Sequence, residues 1–168
     1  MVHKVRQSAL ISQTAEYALC AVVHIAESGG GPLTTRAISR AMNIPAGYLS
    51  KVLRTLANGN IVSAQRGVGG GFTLNAPPKD LTLSDILKCV DGGMSRMLEC
   101  PLGIPEHTSL CAVHTLLDNA AAQIESILNS TTIADLLDAT LSDNGTINRC
   151  SEAPIQTYSN KVKPPNCQ

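Results

Sequence analysis

Apolar and polar positions recur along this chain with two different periods, and each period predicts a different kind of element. Apolar residues return every three to four positions over residues 12–28, 35–42, 46–58, 84–90 and 111–129, which is the spacing of helices that bury one face. Residues 61–64 and 72–74 are short extended runs, typical of strands. A further helical turn is predicted over 132–137, where Thr132 and Asp135 resemble a capping box. The pattern therefore predicts a mainly α-helical fold with one small β-hairpin.

Residues 34–74 form the unit around which the rest of the chain is organised. Thr34 or Thr35 can cap a first helix, and the segment 43–45, which ends in proline, stops it. The second helix has an apolar stripe that is expected to be buried: Tyr48, Leu49, Val52, Leu53 and Leu56. Its other face carries short, polar or cationic residues: Gly47, Ser50, Lys51, Arg54 and Asn58. Such a face suits a helix that lies against a polyanion.

A glycine-rich turn, residues 66–71, joins the two predicted strands. Glycines allow a backbone to approach a groove closely, and Arg66 can reach phosphates or a narrow minor groove. Helix, turn, helix and hairpin in this order predict a winged helix-turn-helix over residues 10–78. The alternative is an ordinary helical hairpin followed by a β-hairpin, with a polar face that is merely solvated.

Charge is distributed unevenly along the 168 residues, although the net charge is zero. Residues 1–78 contain seven Lys or Arg and two acidic residues, whereas residues 79–168 contain six and eleven. A basic half and an acidic half fit a DNA-reading module joined to a regulatory one. We expect residues 79–140 to hold a sensor loop and a dimerisation helix, and residues 141–168 to be a disordered tail.

Two segments carry a family resemblance. Gly47-Tyr48-Leu49-Ser50-Lys51-Val52-Leu53, followed by Arg66-Gly67-Val68-Gly69-Gly70-Gly71-Phe72, resembles the recognition helix and wing of the Rrf2 family of bacterial transcription regulators. The resemblance implies a homodimer that binds a roughly palindromic DNA operator and is often governed by an iron–sulfur cluster. The candidate DNA-binding residues are Thr35, Arg36, Gly47, Tyr48, Ser50, Lys51, Arg54, Arg66, Gly67, Gly69 and Gly70.

The six cysteines are not predicted to form a secreted disulfide framework. The N-terminus lacks a secretory signal, and no run of eighteen apolar residues could span a membrane. In a cytoplasmic chain with reduced thiols, clustered cysteines are better interpreted as metal ligands or redox sensors. Cys100 and Cys111 bracket the long loop 94–110, and His114 follows one helical turn later.

The family resemblance also implies a ligand set, from which this sequence departs. Family members commonly place three cysteines after the wing, and here the middle one is missing. In some relatives a carboxylate of the first helix, just before a Tyr-Ala pair, ligates the cluster of the other subunit, and Glu16 holds that place with Cys20 four residues later. Our hypothesis is a [2Fe–2S] cluster held by Cys100 and Cys111 of one chain and by Glu16 and Cys20 of its partner. The substitute ligands are His114, His107 and Cys89.

Several alternatives stay open. Cys20 and Cys89 can be core residues, and the tail residues Cys150 and Cys167 lie far from any predicted site. The apolar stripe of 111–129 is predicted to be a dimer seam, but it could also pack on its own domain. Control could run without a cluster, through a Cys100–Cys111 thiol switch or a protein partner. Enzymatic activity is not expected, because no nucleophile has an oriented base and residues 67–71 lack the Lys-Ser ending of a phosphate-binding loop.

Overall fold

The structure is a computed structural model that describes residues 10–94, 96 and 110–142, the side chains of 140–142 excepted. Within these ranges it contains six helices and one two-stranded sheet. In chain order the elements are α1 (Gln13–Glu27), α2 (Thr35–Met42), α3 (Ala46–Asn58), β1 (Val62–Gln65), β2 (Gly71–Leu74), a short 3-10 turn (Pro78–Asp80), α4 (Leu83–Asp91), α5 (Ala112–Ser130) and α6 (Ile133–Ser142). The predicted mainly α fold with a small β-wing is confirmed; the 3-10 turn was not predicted.

Local capping explains where the first helices begin and end. The Ser12 hydroxyl accepts a hydrogen bond from the Ala15 N–H at 3.0 Å, and the Thr34 hydroxyl accepts one from the Ala37 N–H at 3.1 Å. Asn43 ends α2 in the left-handed conformation, with φ of 52°. The chain then turns through Pro45 directly into α3, so α2 and α3 form the predicted helix-turn-helix.

The wing is an antiparallel hairpin anchored to a third segment. β1 and β2 pair from Val62 opposite Leu74 to Gln65 opposite Gly71. Leu33 exchanges two backbone hydrogen bonds with Phe72, at 3.0 and 2.8 Å, which fastens the wing to the chain just before α2. β1 begins one residue later than predicted, because the Ile61 N–H bonds the Leu56 carbonyl at 2.9 Å and closes the end of α3.

A single hydrophobic core joins the helix-turn-helix to the helices that follow the wing. Ile25 of α1, Leu53 of α3, Ile86 of α4 and Ile133 of α6 are all essentially buried in it. The Ile133 N–H bonds the Leu81 carbonyl at 2.9 Å, which ties the start of α6 to the start of α4. Residues on both sides of position 78 therefore stabilise the same core.

Two capping boxes set the starts of α4 and α6. The Thr82 N–H donates to the Asp85 carboxylate at 3.0 Å while the Asp85 N–H donates to the Thr82 hydroxyl at 3.2 Å. Thr132 and Asp135 make the same pair of bonds at 2.8 and 3.2 Å, as the sequence predicts. α6 is longer than the single turn expected from the sequence, and it continues through residues 141 and 142 of the range predicted to be disordered. The rest of that range lies outside the described residues.

Candidate nucleic-acid interface and sensor residues

The recognition helix α3 separates an apolar face from a cationic one. Leu49, Val52, Leu53 and Leu56 are buried, whereas Ser50, Lys51 and Arg54 are exposed. The Ser50 hydroxyl donates to the Ala46 carbonyl at 2.8 Å within the helix. Tyr48 differs from the predicted buried stripe, because its side chain is 37% exposed at the edge of the polar face.

The cations near this face form no salt bridge with a carboxylate of the described residues. Within residues 10–94, 96 and 110–142, no salt bridge involves Arg36, Lys51, Arg54 or Arg66, and all four are exposed. Arg40 is also exposed and lies one helical turn from Arg36 on α2, yet it was absent from the sequence-based set. Its i, i+4 spacing from Arg36 was the signal that could have included it. These charges are available to an external anion.

The wing turn presents both a cation and an apolar side chain. Gly67 and Gly69 adopt φ values of 99° and 79°, which side-chain-bearing residues rarely do. A side chain at Gly70 would collide with the carbonyl of Gln65, so that glycine is required by the tight turn. Val68 at the tip is fully exposed, and sequence reasoning did not single it out. Thr35 and Gly47 lie at the first turns of α2 and α3.

Tyr48 joins α3 to the first turn of α1. Its ring stands edge-on to the ring of Tyr17, with centroids 5.5 Å apart and an interplanar angle of 83°. Its hydroxyl shares a 2.5 Å hydrogen bond with the hydroxyl of Thr14. The Tyr17 hydroxyl in turn accepts a bond from the Gln13 amide at 3.0 Å.

The predicted cluster ligands are only partly brought together. Cys111 is the residue before α5, and its Sγ lies 3.1 Å from Nδ1 of His114. Glu16 and Cys20 are half-buried on α1, where Cys20 packs against the core. In the part of the chain that the structure describes, no three His, Cys, Asp or Glu side chains form a metal-binding group. Cys100 and His107 lie outside the described residues.

Cys89 is placed in a packing contact. Its thiol donates to the Thr55 carbonyl at 3.4 Å and lies against Gly59, where α4 meets the end of α3. Burial raises the pKa of this thiol, which disfavours the thiolate that a metal requires. This environment suits a structural role better than ligation.

Helix α5 presents its two long faces very differently. Val113, Leu116, Leu117 and Ile127 are between 49% and 70% exposed, so the predicted seam is uncovered by the described residues. On another face, Arg96 makes two hydrogen bonds to the Asp118 carboxylate, at 2.8 and 2.7 Å. The Lys88 ammonium reaches the Asn129 amide oxygen at 3.4 Å, which links α4 to α5.

Helix-turn-helix, glycine wing and exposed cationic face together define a winged-helix transcriptional regulator. The profile of the Rrf2 family, described as iron-dependent transcriptional regulators, matches residues 11–139, and the chain belongs to this family. None of the described helices is long and apolar enough to cross a bilayer.

Curated relatives and a solved structure agree with this assignment. The regulator CymR of Bacillus subtilis is 28% identical over 131 residues, covering 77% of this chain and 91% of CymR. The regulator IscR of Vibrio atlanticus is 26% identical over 133 residues, covering 76% of this chain and 74% of IscR. The structure of CymR, the global cysteine regulator of B. subtilis, matches with a TM-score of 0.68 at 26% identity, over 79% of this chain and 98% of that one. These relatives are transcriptional regulators and not enzymes.

Proposed function

We propose that this chain binds duplex DNA as a homodimer and that its affinity for an operator is controlled through Cys100 and Cys111. The observation that carries the DNA-binding part is the exposed cationic face of α3 beside the wing. Lys51, Arg54 and Arg66 lie there without a carboxylate partner among the described residues. Unpaired cations on one surface supply the phosphate contacts that dominate affinity for DNA.

The helix-turn-helix geometry gives each of these residues a task. A recognition helix lies in the major groove with its N-terminal residues at base edges, while the preceding helix crosses the backbone. Gly47, Tyr48 and Ser50 occupy the first turns of α3, and Thr35 and Arg36 begin α2. We therefore assign base-edge contacts to Gly47 and Ser50 at the start of α3, and phosphate contacts to Arg36, Lys51 and Arg54. Arg66 and the backbone at Gly67, Gly69 and Gly70 would follow the adjacent minor groove.

A second copy of the chain is the natural cover for α5. An apolar stripe left exposed on a helix with polar surroundings marks an interaction surface. A two-fold dimer through this stripe would present two recognition helices to successive major grooves, as a palindromic operator requires.

DNA binding is tested by selecting duplexes from a random-sequence library with the wild-type chain. Binding of the selected duplex is then measured against salt for wild type and for Lys51→Ala, Arg54→Ala and Arg66→Ala. Each variant should lose roughly tenfold in affinity and reduce the salt slope by about one. Lys79→Ala, an exposed cation of the 3-10 turn, is the matched control and should bind like wild type. If the four variants are indistinguishable from one another, α3 and the wing do not contact the DNA.

For the control mechanism we propose a [2Fe–2S] cluster held by Cys100 and Cys111 of one chain and Glu16 and Cys20 of its partner. The donor chemistry near Cys111 fits such a group, because thiolate and imidazole are both known ligands of iron–sulfur clusters. The described residues of one chain contribute only the Cys111–His114 pair in close contact. In this proposal Cys100 and residues of a second chain complete the site, so dimerisation and cluster binding would be interdependent. A bound cluster would supply sensitivity to oxidants, iron supply or nitric oxide.

Similarity to CymR supports a second mechanism. That relative is described as a global cysteine regulator, and this chain covers 98% of its solved structure. A Cys100–Cys111 thiol pair, or a protein partner, could govern DNA binding without any metal. In the thiol version an added oxidant such as peroxide takes two electrons and two protons from the thiols as the disulfide forms.

The two mechanisms are separated by purifying the chain without oxygen and measuring its visible spectrum, iron and acid-labile sulfide. A coloured protein with equal iron and sulfide, lost in Cys111→Ser and retained in Cys89→Ser, would support the cluster. Glu16→Ala, Cys20→Ser and His114→Ala would then assign the remaining ligands. A colourless protein that reconstitution cannot load, but whose DNA binding changes reversibly with peroxide and thiol, would support the switch instead.

A further inference from the structure

The start of α3 lacks the usual device that fixes the first turn of a helix. Its N-cap is Pro45, which has no side-chain acceptor for the free N–H groups of that turn. α1, α2, α4 and α6 instead begin with a Ser or Thr whose hydroxyl accepts such a bond. In a helix-turn-helix protein this uncapped end is the one that meets the base edges. Besides the backbone bonds from Tyr48 and Leu49 to the Pro45 carbonyl, side-chain contacts from another element can fix this end.

Contacts from α1 reach this end of α3. Tyr48, the third residue of α3, packs its ring edge-on to Tyr17, and its hydroxyl bonds the hydroxyl of Thr14 at 2.5 Å. Tyr17 is itself held by Gln13 at 3.0 Å and packs against the buried core. The two contacts are of different kinds, because one is apolar packing and the other is a directional hydrogen bond.

We propose that Thr14 and Tyr17 of α1 are positioning residues that set the orientation of the recognition helix through Tyr48. The proposal rests on the DNA-binding function proposed above and names the residues that tune its specificity. The Tyr48 hydroxyl is hydrogen-bonded to Thr14 and so holds α3 in its orientation. Lys51 and Arg54 provide the positive charges that attract the DNA phosphates. Losing the hydroxyl bond leaves the phosphate contacts intact and misplaces the residues at the base edges.

Discrimination between sequences is therefore the property that this contact governs. A small displacement of the first turn weakens directional bonds to base edges much more than it weakens attraction to phosphates. Binding to the selected operator should fall, and binding to bulk DNA should stay constant. A role confined to folding stability would lower both together, in proportion to the fraction of unfolded chain.

A double-mutant cycle tests the contact directly. Tyr48→Phe keeps the ring and removes the hydroxyl, whereas Thr14→Val keeps the branched shape and removes its partner. Each single variant should lose about three- to tenfold in affinity for the selected duplex, which is the worth of one hydrogen bond. The double variant should lose no more than either single one, since both remove the same bond. The control Thr14→Ser keeps the hydroxyl and should bind the selected duplex with wild-type affinity.

Each other outcome has a defined meaning. If Tyr48→Phe weakens binding by the same factor with and without Thr14, the Tyr48 hydroxyl contacts DNA itself and the positioning role is overturned. If neither single variant changes the ratio of affinities for selected duplex and sheared genomic DNA, the contact does not tune specificity. Thermal unfolding of every variant, measured by circular dichroism, excludes loss of folded protein as the cause. A wild type that binds neither selected nor genomic DNA would instead defeat the DNA-binding function itself, which distinguishes that failure from failure of the contact.

Discussion

The recognition unit, residues 33–74, and the long helix α5 differ in whether the described chain buries their apolar side chains. In the recognition unit the apolar stripe of α3 is buried by α1, α2 and α4, and what remains exposed is polar or cationic. α5 has 19 residues and none of them is buried; four of its large apolar side chains face outward. The described part of one chain thus completes the surface that would read DNA and leaves uncovered the apolar stripe of the helix that would control it.

This difference indicates where a second copy of the chain matters. Folding of the recognition unit depends on contacts within one chain, so one copy should fold and bind DNA weakly. In the proposed function, specific binding and sensing depend on α5 and on Cys111 at its start, where one chain supplies two close donors in its described part. Variants that alter one region and spare the other can test this separation.

The largest effect is expected from Leu116→Asp on the exposed stripe of α5. Leu116 is 70% exposed in one chain, so the charge should leave the folded chain intact while preventing its burial against a second copy. The variant should sediment as a monomer and lose at least about 100-fold in operator affinity, because paired binding to two half-sites is lost. Sedimentation velocity and fluorescence anisotropy measure the two properties.

Ser126→Asp is the matched control for that variant. Ser126 is exposed on the same helix but away from the apolar stripe, and it receives the same charge. It should remain dimeric and bind DNA normally. A dimeric Leu116→Asp protein would show that the stripe is covered by its own chain or has no partner.

A smaller effect is expected where the recognition unit meets α4. In Gly59→Ala the new methyl group collides with the Cys89 sulfur, so the free energy of unfolding should fall by about 1–2 kcal/mol. Combining it with Cys89→Ala should recover part of that loss, since the colliding atom is gone. Urea unfolding measures both variants. Additive losses in the double variant would contradict this packing, and loss of bound iron in Cys89→Ala would make Cys89 a ligand after all.

The smallest effect concerns the capping boxes that attach α4 and α6 to the core. Hydrogen bonds from Thr82 lower the pKa of Asp85, and bonds from Thr132 lower that of Asp135. A carboxylate whose pKa is lowered by folding stabilises the protein above its ordinary pKa of 3.8, and this stabilisation is lost as the pH falls through the folded value. Asp85→Asn should therefore cost about 0.5–1 kcal/mol at pH 7, a small effect because the site is largely exposed. This cost should shrink as the pH falls below 3.8, because the wild-type carboxylate then becomes protonated as well.

The control for this pH dependence is Asp80→Asn, a nearby exposed carboxylate outside the capping boxes. It should have little effect on urea unfolding at any pH in this range. A gap between wild type and Asp85→Asn that does not shrink as the pH falls below 3.8 would show that the carboxylate charge is not the source of the stabilisation.

The sequence predicted the elements whose signals are local. Hydrophobic period, the Thr34 cap and the proline at 45 placed α2 and α3, and glycine spacing placed the wing. The features that the sequence did not predict depend on tertiary contacts. The Tyr48 hydroxyl bonds Thr14, 34 positions away, so its role could not be inferred from spacing within α3. Cys89 resembles a ligand by its nearness to the loop, yet its environment is set by Gly59 and Thr55 of another helix. The cluster site remains a prediction, because it would combine Cys100 with residues of two chains.

The central claim is that two chains pair through the apolar stripe of α5 and bind one operator together. The most direct test of this claim is the number of chains bound per operator. Sedimentation of the wild-type chain with a fluorescent selected duplex, at protein concentrations from below to above that of the DNA, gives this number. We predict that the free duplex converts directly into a complex with two chains as the protein concentration rises, with no stable one-chain complex in between. A single chain that binds the selected duplex with full affinity and specificity would contradict it.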